Sequence, residues 1–251
     1  MPRDAPFLRG PEKRRTLARK VRRLLEGRNR SALREAHRYV ANDAEGGRRQ
    51  LELLKREGCL PSSKVLEIGC GALRAGIPIM KYVEPGNWVG VDPNKWLYEA
   101  ALTRPGNRQV ADERRAIFLN VDDFDASSLN IRFDYVLSHS VLSHAAHWQL
   151  PQFLHNVGKV LAPEGRIVAS IRLAEGNDYG SNGSPDGGDS RDESWVYPGV
   201  SWFSLATVVS AAESEGLEVL SRPDYTAFYT SGRNRSCHDW LIFRNRNHSA
   251  R

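Results

Sequence analysis

Two glycines bracket Cys70 directly after a short apolar run, Val65-Leu-Glu-Ile68, to give Gly69-Cys70-Gly71. Glycines placed right after a strand let the chain turn sharply and bring bare backbone close to a ligand. A second apolar run, Val89-Gly-Val91, ends in Asp92 and Pro93, with Asp92 lying 21 residues beyond Gly71. A carboxylate at that place can accept hydrogen bonds from both hydroxyls of a ribose. The pair fits a dinucleotide or another nucleoside-bearing cofactor. Two details favour the second. Gly69-Cys-Gly-Ala-Leu-Arg74 puts arginine where a G-x-G-x-x-G dinucleotide turn has its third glycine. Glu67, two residues before the turn, repels a pyrophosphate and suits a cationic sulfonium carrying an ammonium group.

Further along, three histidines crowd one short stretch: His139, His144 and His147. Imidazole titrates near neutrality, so a histidine near a bound cofactor can take a proton from a hydroxyl or ammonium nucleophile. His139 and His144 are the preferred candidates. Ser138 lies just before them, and Asp122 and Asp123 stand together after an earlier apolar run. One of these aspartates is expected to face a bound base and the other to cap a turn. The acceptor side is marked by aromatic and imidazole side chains: Tyr39, His147, Tyr197 and Trp202. The last two flank a polar stretch from Glu175 to Glu193 rich in Gly, Ser, Asn and Asp. Loops that long are commonly functional.

The elements needed to position these residues are legible as alternating strands and helices. Strands are expected at 64–68, 87–91, 116–119, 133–137, 166–171, 217–220 and 238–244. Helices are expected through Tyr82, over 95–103, 150–161 and 204–216. Strands separated by helices of this length imply a parallel sheet with right-handed crossovers. Ahead of them, Leu17, Val21, Leu24 and Leu25 have helical spacing, Ser31 can cap a second helix, and a third runs from about Arg48 to Glu57. Gly46-Gly47 is expected to break or weaken the helical run, and Gly58 and Pro61 to close it.

The net charge of +6 is unevenly placed. Residues 1–38 hold 13 Lys/Arg and 4 Asp/Glu, a balance of +9, which leaves −3 for the remainder. The basic character thus belongs to the N-terminal arm, and docking to nucleic acid is possible but not favoured. No apolar run is long enough to span a bilayer. Cys59, Cys70 and Cys237 are odd in number and widely spaced, which argues against disulfides and structural zinc and for a reducing, cytoplasmic setting. No metal ligands are expected.

Taken in order, these segments resemble the class I S-adenosylmethionine-dependent methyltransferase family over about residues 60–245. Val65–Gly71 looks like its first motif, and Val89–Asp92 like its ribose-binding acid. Val121-Asp-Asp-Phe124 is similar to the segment that holds the adenine amine. Phe133–His144 is similar to the fourth strand and its loop, and Val160-Leu-Ala-Pro-Glu-Gly165 to a Leu-x-Pro-x-Gly turn. The resemblance implies a doubly wound, Rossmann-like, seven-stranded and mostly parallel α/β sheet whose last strand is antiparallel. It implies S-adenosyl-L-methionine as cofactor, held by Glu67, Gly69, Cys70, Gly71, Asp92, Pro93, Asp122, Asp123 and Ser138. His144 resembles a histidine common at this loop in members acting on small molecules. One departure stands out: many members carry a third glycine where this chain has Leu73. Residues 1–58 are read as a basic helical extension that can act as a lid, and 59–251 as the cofactor-binding domain. The expected activity is methyl transfer to an O, N or S atom of a small-molecule acceptor. The alternatives are an RNA or protein methyltransferase docking through its basic arm, and a non-catalytic cofactor-binding regulator. A dehydrogenase is disfavoured by Glu67 and Arg74.

Overall fold

The computed structural model describes residues 31–36, 44–180, 199–230 and 238–246. Its centre is a seven-stranded sheet. Five strands run parallel: β1 (Val65–Ile68), β2 (Trp88–Val91), β3 (Ile117–Leu119), β4 (Phe133–Ser138) and β5 (Leu161–Ile171). With β9 (Leu217–Ser221) and β10 (Asp239–Asn245) the order is β3-β2-β1-β4-β5-β10-β9. β10 is antiparallel to both neighbours. The order reverses between β1 and β4, and crevices at such a switch point, beyond the carboxyl ends of the strands, are where doubly wound sheets bind ligands.

Strand composition explains the double cover. Val65-Leu-Glu-Ile68 and Trp88-Val-Gly-Val91 are buried at every position, as expected for parallel strands with helices on both faces. One face packs against α1 (31–36), α2 (Ala44–Arg56), α3 (Gly76–Tyr82), α4 (Lys95–Leu102), α5 (Pro105–Glu113) and α8 (Pro223–Thr230). The other packs against α6 (Gln149–Val160) and α7 (Leu205–Ser214). In α6, Leu150, Phe153, Leu154, Val157 and Val160 are buried. That spacing keeps one stripe on the sheet, and it fixes the loop between β4 and α6 over the crevice.

Five differences from the sequence expectation have physical causes. α5 and α8 are additional helices, and each opens on a proline, Pro105 and Pro223. Proline stops a helix from within but fits its first turn, where no N–H partner is required. β5 starts at Leu161 rather than Arg166, with a register shift against β4 between Phe133 and Tyr135. The stretch read as one polar loop contains β7 (Asp178–Gly180). It joins β6 (Leu173–Ala174) and β8 (Val200–Ser204) in a small sheet of order β6-β8-β7. Its strands are too short for alternation to show, and the pairing partner is distant in sequence. Finally, Gly46 and Gly47 lie inside α2 instead of breaking it. A Cβ on Gly47 would sit 2.0 Å from the Arg74 carbonyl oxygen, so the helix passes directly over the turn after β1.

α2 packs into the core, with Leu53 and Leu54 fully buried. Arg49 donates to the Phe228 and Tyr229 carbonyls at 3.0 and 2.9 Å, and Gln50 donates to the Tyr229 hydroxyl at 3.2 Å. Just beyond α2 the buried Glu57 carboxylate meets Arg166 at 2.7 Å, Arg222 at 3.5 Å and the Tyr225 hydroxyl. The Glu57 carbonyl accepts the Tyr135 hydroxyl at 2.8 Å. This polar hub ties α2, β4, β5 and α8 together at the start of the strands, the end of the sheet opposite the crevice. The helix expected around Leu17–Leu25 lies outside the described residues.

Candidate active site

The turn after β1 has the strain its glycines exist to absorb. Gly69 and Gly71 adopt φ of +73° and +47°. A Cβ on Gly69 would stand 2.3 Å from Val141 Cγ2, so the turn closes tightly on the loop after β4. Leu73, in the place where a third glycine was missing, also has positive φ, +60°. The backbone there keeps the glycine conformation, at a cost of roughly 1 kcal/mol for a side chain, and the Leu73 side chain is buried in the core.

Asp92 locks this turn to the end of β2. One carboxylate oxygen accepts the Gly71 N–H at 2.8 Å, and the other accepts the Asn94 N–H at 2.7 Å. Asn120 donates to the Asp92 and Pro93 carbonyls, both at 2.8 Å. With about four lone-pair sites, the carboxylate keeps capacity for a ligand hydroxyl beside these partners and the Asn94 side chain. Burial raises the Asp92 carboxyl. Glu67 is 5% exposed, and the Trp88 indole donates to it at 3.1 Å. Burial pushes its carboxyl up to about 8, partly offset by the Trp88 hydrogen bond and by Arg74. The Cys70 thiol is held well above its usual range by burial, so it is an inert packing group.

After β3 the two aspartates divide. Asp123 accepts the Asp125 N–H at 3.0 Å, while its carbonyl accepts from Asn156 at 2.8 Å. Asp123 therefore caps the turn. Asp122 stays exposed at the crevice edge. Ser138 ends β4 fully buried, and its hydroxyl makes no hydrogen bond.

The three histidines have three different settings. Arg74 and His139 Nδ1 lie 2.9 Å apart. A guanidinium only donates, so Nδ1 is the acceptor and the ring proton sits on Nε2. His139 Nε2 is buried with no hydrogen-bond partner. Burial, then the Arg74 and His238 neighbours, holds His139 well below the usual imidazole range. His144 is the mirror case. Its Nδ1 is 2.8 Å from the Gly199 carbonyl, so Nδ1 carries the proton and Nε2 a free lone pair. Burial lowers its pKa as well, which keeps the ring neutral and able to accept a proton. His147 points Nε2 at the Asp178 and Trp202 carbonyls, at 3.2 and 3.1 Å. It also stacks on Tyr179 with centroids 4.1 Å apart, and so rivets the loop to the small sheet.

Several residues that the sequence reading passed over complete the crevice. His238 stands just before β10, its Nε2 3.0 Å from the Ser143 hydroxyl, and burial drives its pKa to about 3. Arg172, buried at the end of β5, lies over the Trp202 ring at 5.2 Å. Tyr229 and Trp240 flank His139 at 4.8 and 5.4 Å between centroids. Ser140 adopts φ +60° and donates its N–H to the Ser170 hydroxyl at 2.9 Å. An arginine closing a core strand was a usable signal for Arg172. His238 could have been found, since a strand at 238–244 and an antiparallel last strand were both expected, and together they place its amino end beside the carboxyl end of β5. Trp202 is buried in β8, while Tyr39 and Tyr197 lie outside the described residues. Among the described residues no group of three or more His, Cys, Asp or Glu side chains is placed to hold a metal ion, and no helix is long and apolar enough to cross a membrane.

Residues 66–167 match the family model described as a methyltransferase domain. That span starts in β1 and ends in β5, and so contains the glycine turn, Asp92, both aspartates and the histidine loop. Solved structures share the whole fold. The glycopeptide N-methyltransferase MtfA complexed with S-adenosylmethionine is 16% identical with a TM-score of 0.59, over 80% of this chain and 94% of that one. The CcbJ methyltransferase from Streptomyces caelestis is 15% identical with a TM-score of 0.58, over 82% and 97%. Magnesium protoporphyrin IX methyltransferase from Synechocystis PCC 6803, bound to S-adenosylhomocysteine, is 13% identical with a TM-score of 0.54, over 86% of each chain. Residues 66–167 thus match a methyltransferase domain, and the described residues have the fold of the S-adenosylmethionine-dependent methyltransferases named above.

Proposed function

We propose that this chain methylates a small-molecule acceptor, with the cofactor between β1, β2 and β3 and the acceptor beyond β4, β5 and β10. The observation that carries this reading is the Asp92 carboxylate bound to the Gly71 N–H at the switch point of the sheet. It supplies a backbone cradle and a ribose acceptor in one rigid unit. The names of two structural neighbours, a glycopeptide N-methyltransferase and a magnesium protoporphyrin IX methyltransferase, support an acceptor of low molecular mass.

In this reading Gly69, Cys70 and Gly71 line the amino-acid end of the cofactor and Glu67 meets its positive charge. Asp92 and Pro93 hold the ribose, Asp122 the adenine, and the buried Ser138 hydroxyl faces the reacting end. Asp123 acts through the turn it caps. The partnerless Ser138 hydroxyl is a feature that a bound molecule would complete. Bound there, S-adenosylmethionine supplies an electrophilic methyl group on a sulfonium. His144, with its Nε2 lone pair free and its Nδ1 proton anchored on Gly199, is the group that takes a proton from the acceptor's nucleophile. His147 and Trp202 shape the wall. Residues 1–58 serve as an extension whose last part, α2, presses on the glycine turn, and 59–251 form the catalytic unit.

Calorimetry with S-adenosylmethionine and with NAD tests the cofactor assignment. Asp92→Ala is expected to weaken S-adenosylmethionine at least tenfold, since both ribose hydrogen bonds to a charged group are lost. Binding of NAD in preference, or unchanged affinity in the variant, overturns it.

A further inference from the structure

Buried polar atoms nearly always have partners, and each one left alone costs about 1–3 kcal/mol. Here such atoms gather at one end of the sheet. His139 Nε2, Trp240 Nε1, Trp202 Nε1 and the Ser138 hydroxyl are all buried without a hydrogen bond. They stand on the carboxyl end of β4, on β8 and near the start of β10, around His238 and Arg172. Three of the four are one-sided, whereas the serine hydroxyl can donate or accept. An indole N–H only donates. His139 is forced into the same role, because Arg74 holds its Nδ1 lone pair at 2.9 Å and leaves the proton on Nε2. The ring cannot turn away to escape this, being packed against Tyr229 at 4.8 Å, Trp240 at 5.4 Å and His238 at 5.4 Å.

The charges point the same way. The guanidiniums of Arg74 and Arg172 act on this group of rings, Arg74 on His139 and Arg172 on His144, with both acting on His238. The next residue, Ser140, holds a strained φ of +60°, pinned by Ser170. Strain of that kind persists where the surroundings fix a functional geometry. Donors without acceptors, beside two cations, match a group that only accepts. A carboxylate has two oxygens, no proton and a negative charge. An ammonium would bring donors to donors and a cation to cations.

We propose that the acceptor carries a carboxylate and that His139 Nε2–H receives it, assisted by Trp240 Nε1–H and the positive field of Arg74 and Arg172. This rests on the methyltransferase reading above and names its substrate class: a small carboxylic acid anchored by its carboxylate, with the nucleophile presented separately to His144. Arg74 is a positioning residue in this scheme, since it sets the His139 tautomer from the opposite side of the ring.

Benzoate and benzamide are the test probes, alike in shape and different in charge and acceptor capacity. Binding of each to the full chain is measured by calorimetry, with and without S-adenosylhomocysteine, in the unaltered protein and in His139→Phe and His139→Gln. His139→Phe keeps an aromatic ring against Tyr229 and Trp240 but has no donor, and His139→Gln restores an N–H. Benzoate is expected to bind at least tenfold more tightly than benzamide, with the preference lost in His139→Phe and partly regained in His139→Gln. Equal binding of the two probes, or a preference that survives His139→Phe, overturns the proposal. A second arm separates the cofactor's own carboxylate as the source. If His139→Phe weakens S-adenosylhomocysteine but not its decarboxylated analogue, the subsite belongs to the cofactor and the acceptor assignment falls. Failure of S-adenosylhomocysteine to bind the unaltered protein refutes the methyltransferase reading instead, and the probe comparison still decides whether the receptor exists.

Discussion

Glu67 offers a sharp physical test, because a buried carboxyl next to a cationic cofactor must change its protonation when the cofactor arrives. It is 5% exposed and its carboxyl is pushed from 4.5 up to about 8, chiefly by burial. The folded apo protein therefore binds a proton that the unfolded chain releases. The sign follows from linkage: the stabilisation is complete below the unfolded value of 4.5 and is lost as pH rises through about 8. The whole span is worth on the order of 5 kcal/mol at about 1.4 per decade. At pH 7 only about a tenth of the side chain is ionised. If the ammonium end of S-adenosylhomocysteine binds the ionised form, its affinity rises roughly tenfold between pH 6 and pH 7, and about 0.9 proton leaves per molecule bound at pH 7. Calorimetry in buffers of different ionisation enthalpy counts that proton directly. Glu67→Gln keeps an oxygen for the Trp88 indole and removes the titration, so it is expected to flatten both the pH dependence of affinity and that of apo stability. Affinity independent of pH, with no proton exchanged in the unaltered protein, would falsify the account of Glu67 as the group that meets the cofactor's charge.

Three other outcomes are expected. Gly47→Ala puts a methyl 2.0 Å from the Arg74 carbonyl oxygen, so α2 must lift from the glycine turn; urea unfolding should show a loss of about 1–3 kcal/mol, together with weaker S-adenosylhomocysteine binding. Glu57→Ala leaves Arg166 and Arg222 without their shared carboxylate at 2.7 and 3.5 Å; with both arginines partly solvated the cost is roughly 2–3 kcal/mol, read as a lower midpoint with cofactor affinity per folded molecule unchanged. His144→Ala should lower turnover of an acceptor about 100-fold or more while leaving S-adenosylhomocysteine affinity intact; equal losses in both would make His144 a cofactor contact instead of a base.

The sequence by itself determined the fold class and the glycine turn and acid that meet at the switch point of the sheet. Glycine after a buried strand, and an acid closing the next one, are local features: the turn conformation at Gly69 and Gly71 and the placement of Asp92 follow from a few adjacent residues. Even the departure at Leu73 was visible, although its positive φ was not. The apolar runs of β1, β2, β4 and β5 are buried on both faces, and that is why they read clearly. What tertiary structure decided lies around the histidines after β4. Whether a histidine can donate or accept depends on which atom faces which nitrogen, and those atoms are remote in sequence: Arg74 for His139, Gly199 for His144, Asp178 and Trp202 for His147. Three chemically identical side chains within nine residues thus came to differ: the ring proton sits on Nε2 in His139 and on Nδ1 in His144, while His147 is held by two backbone carbonyls. The antiparallel last strand was expected, but the contacts of His238 with Ser143 and the His139 ring come from residues remote in sequence. Gly46 and Gly47 read locally as helix breakers, yet they sit inside α2 because the turn at Arg74 leaves no room for a Cβ. Local propensity fixes turns and strands, whereas tautomers, counter-charges and close backbone contacts are set by residues that only the folded chain brings together.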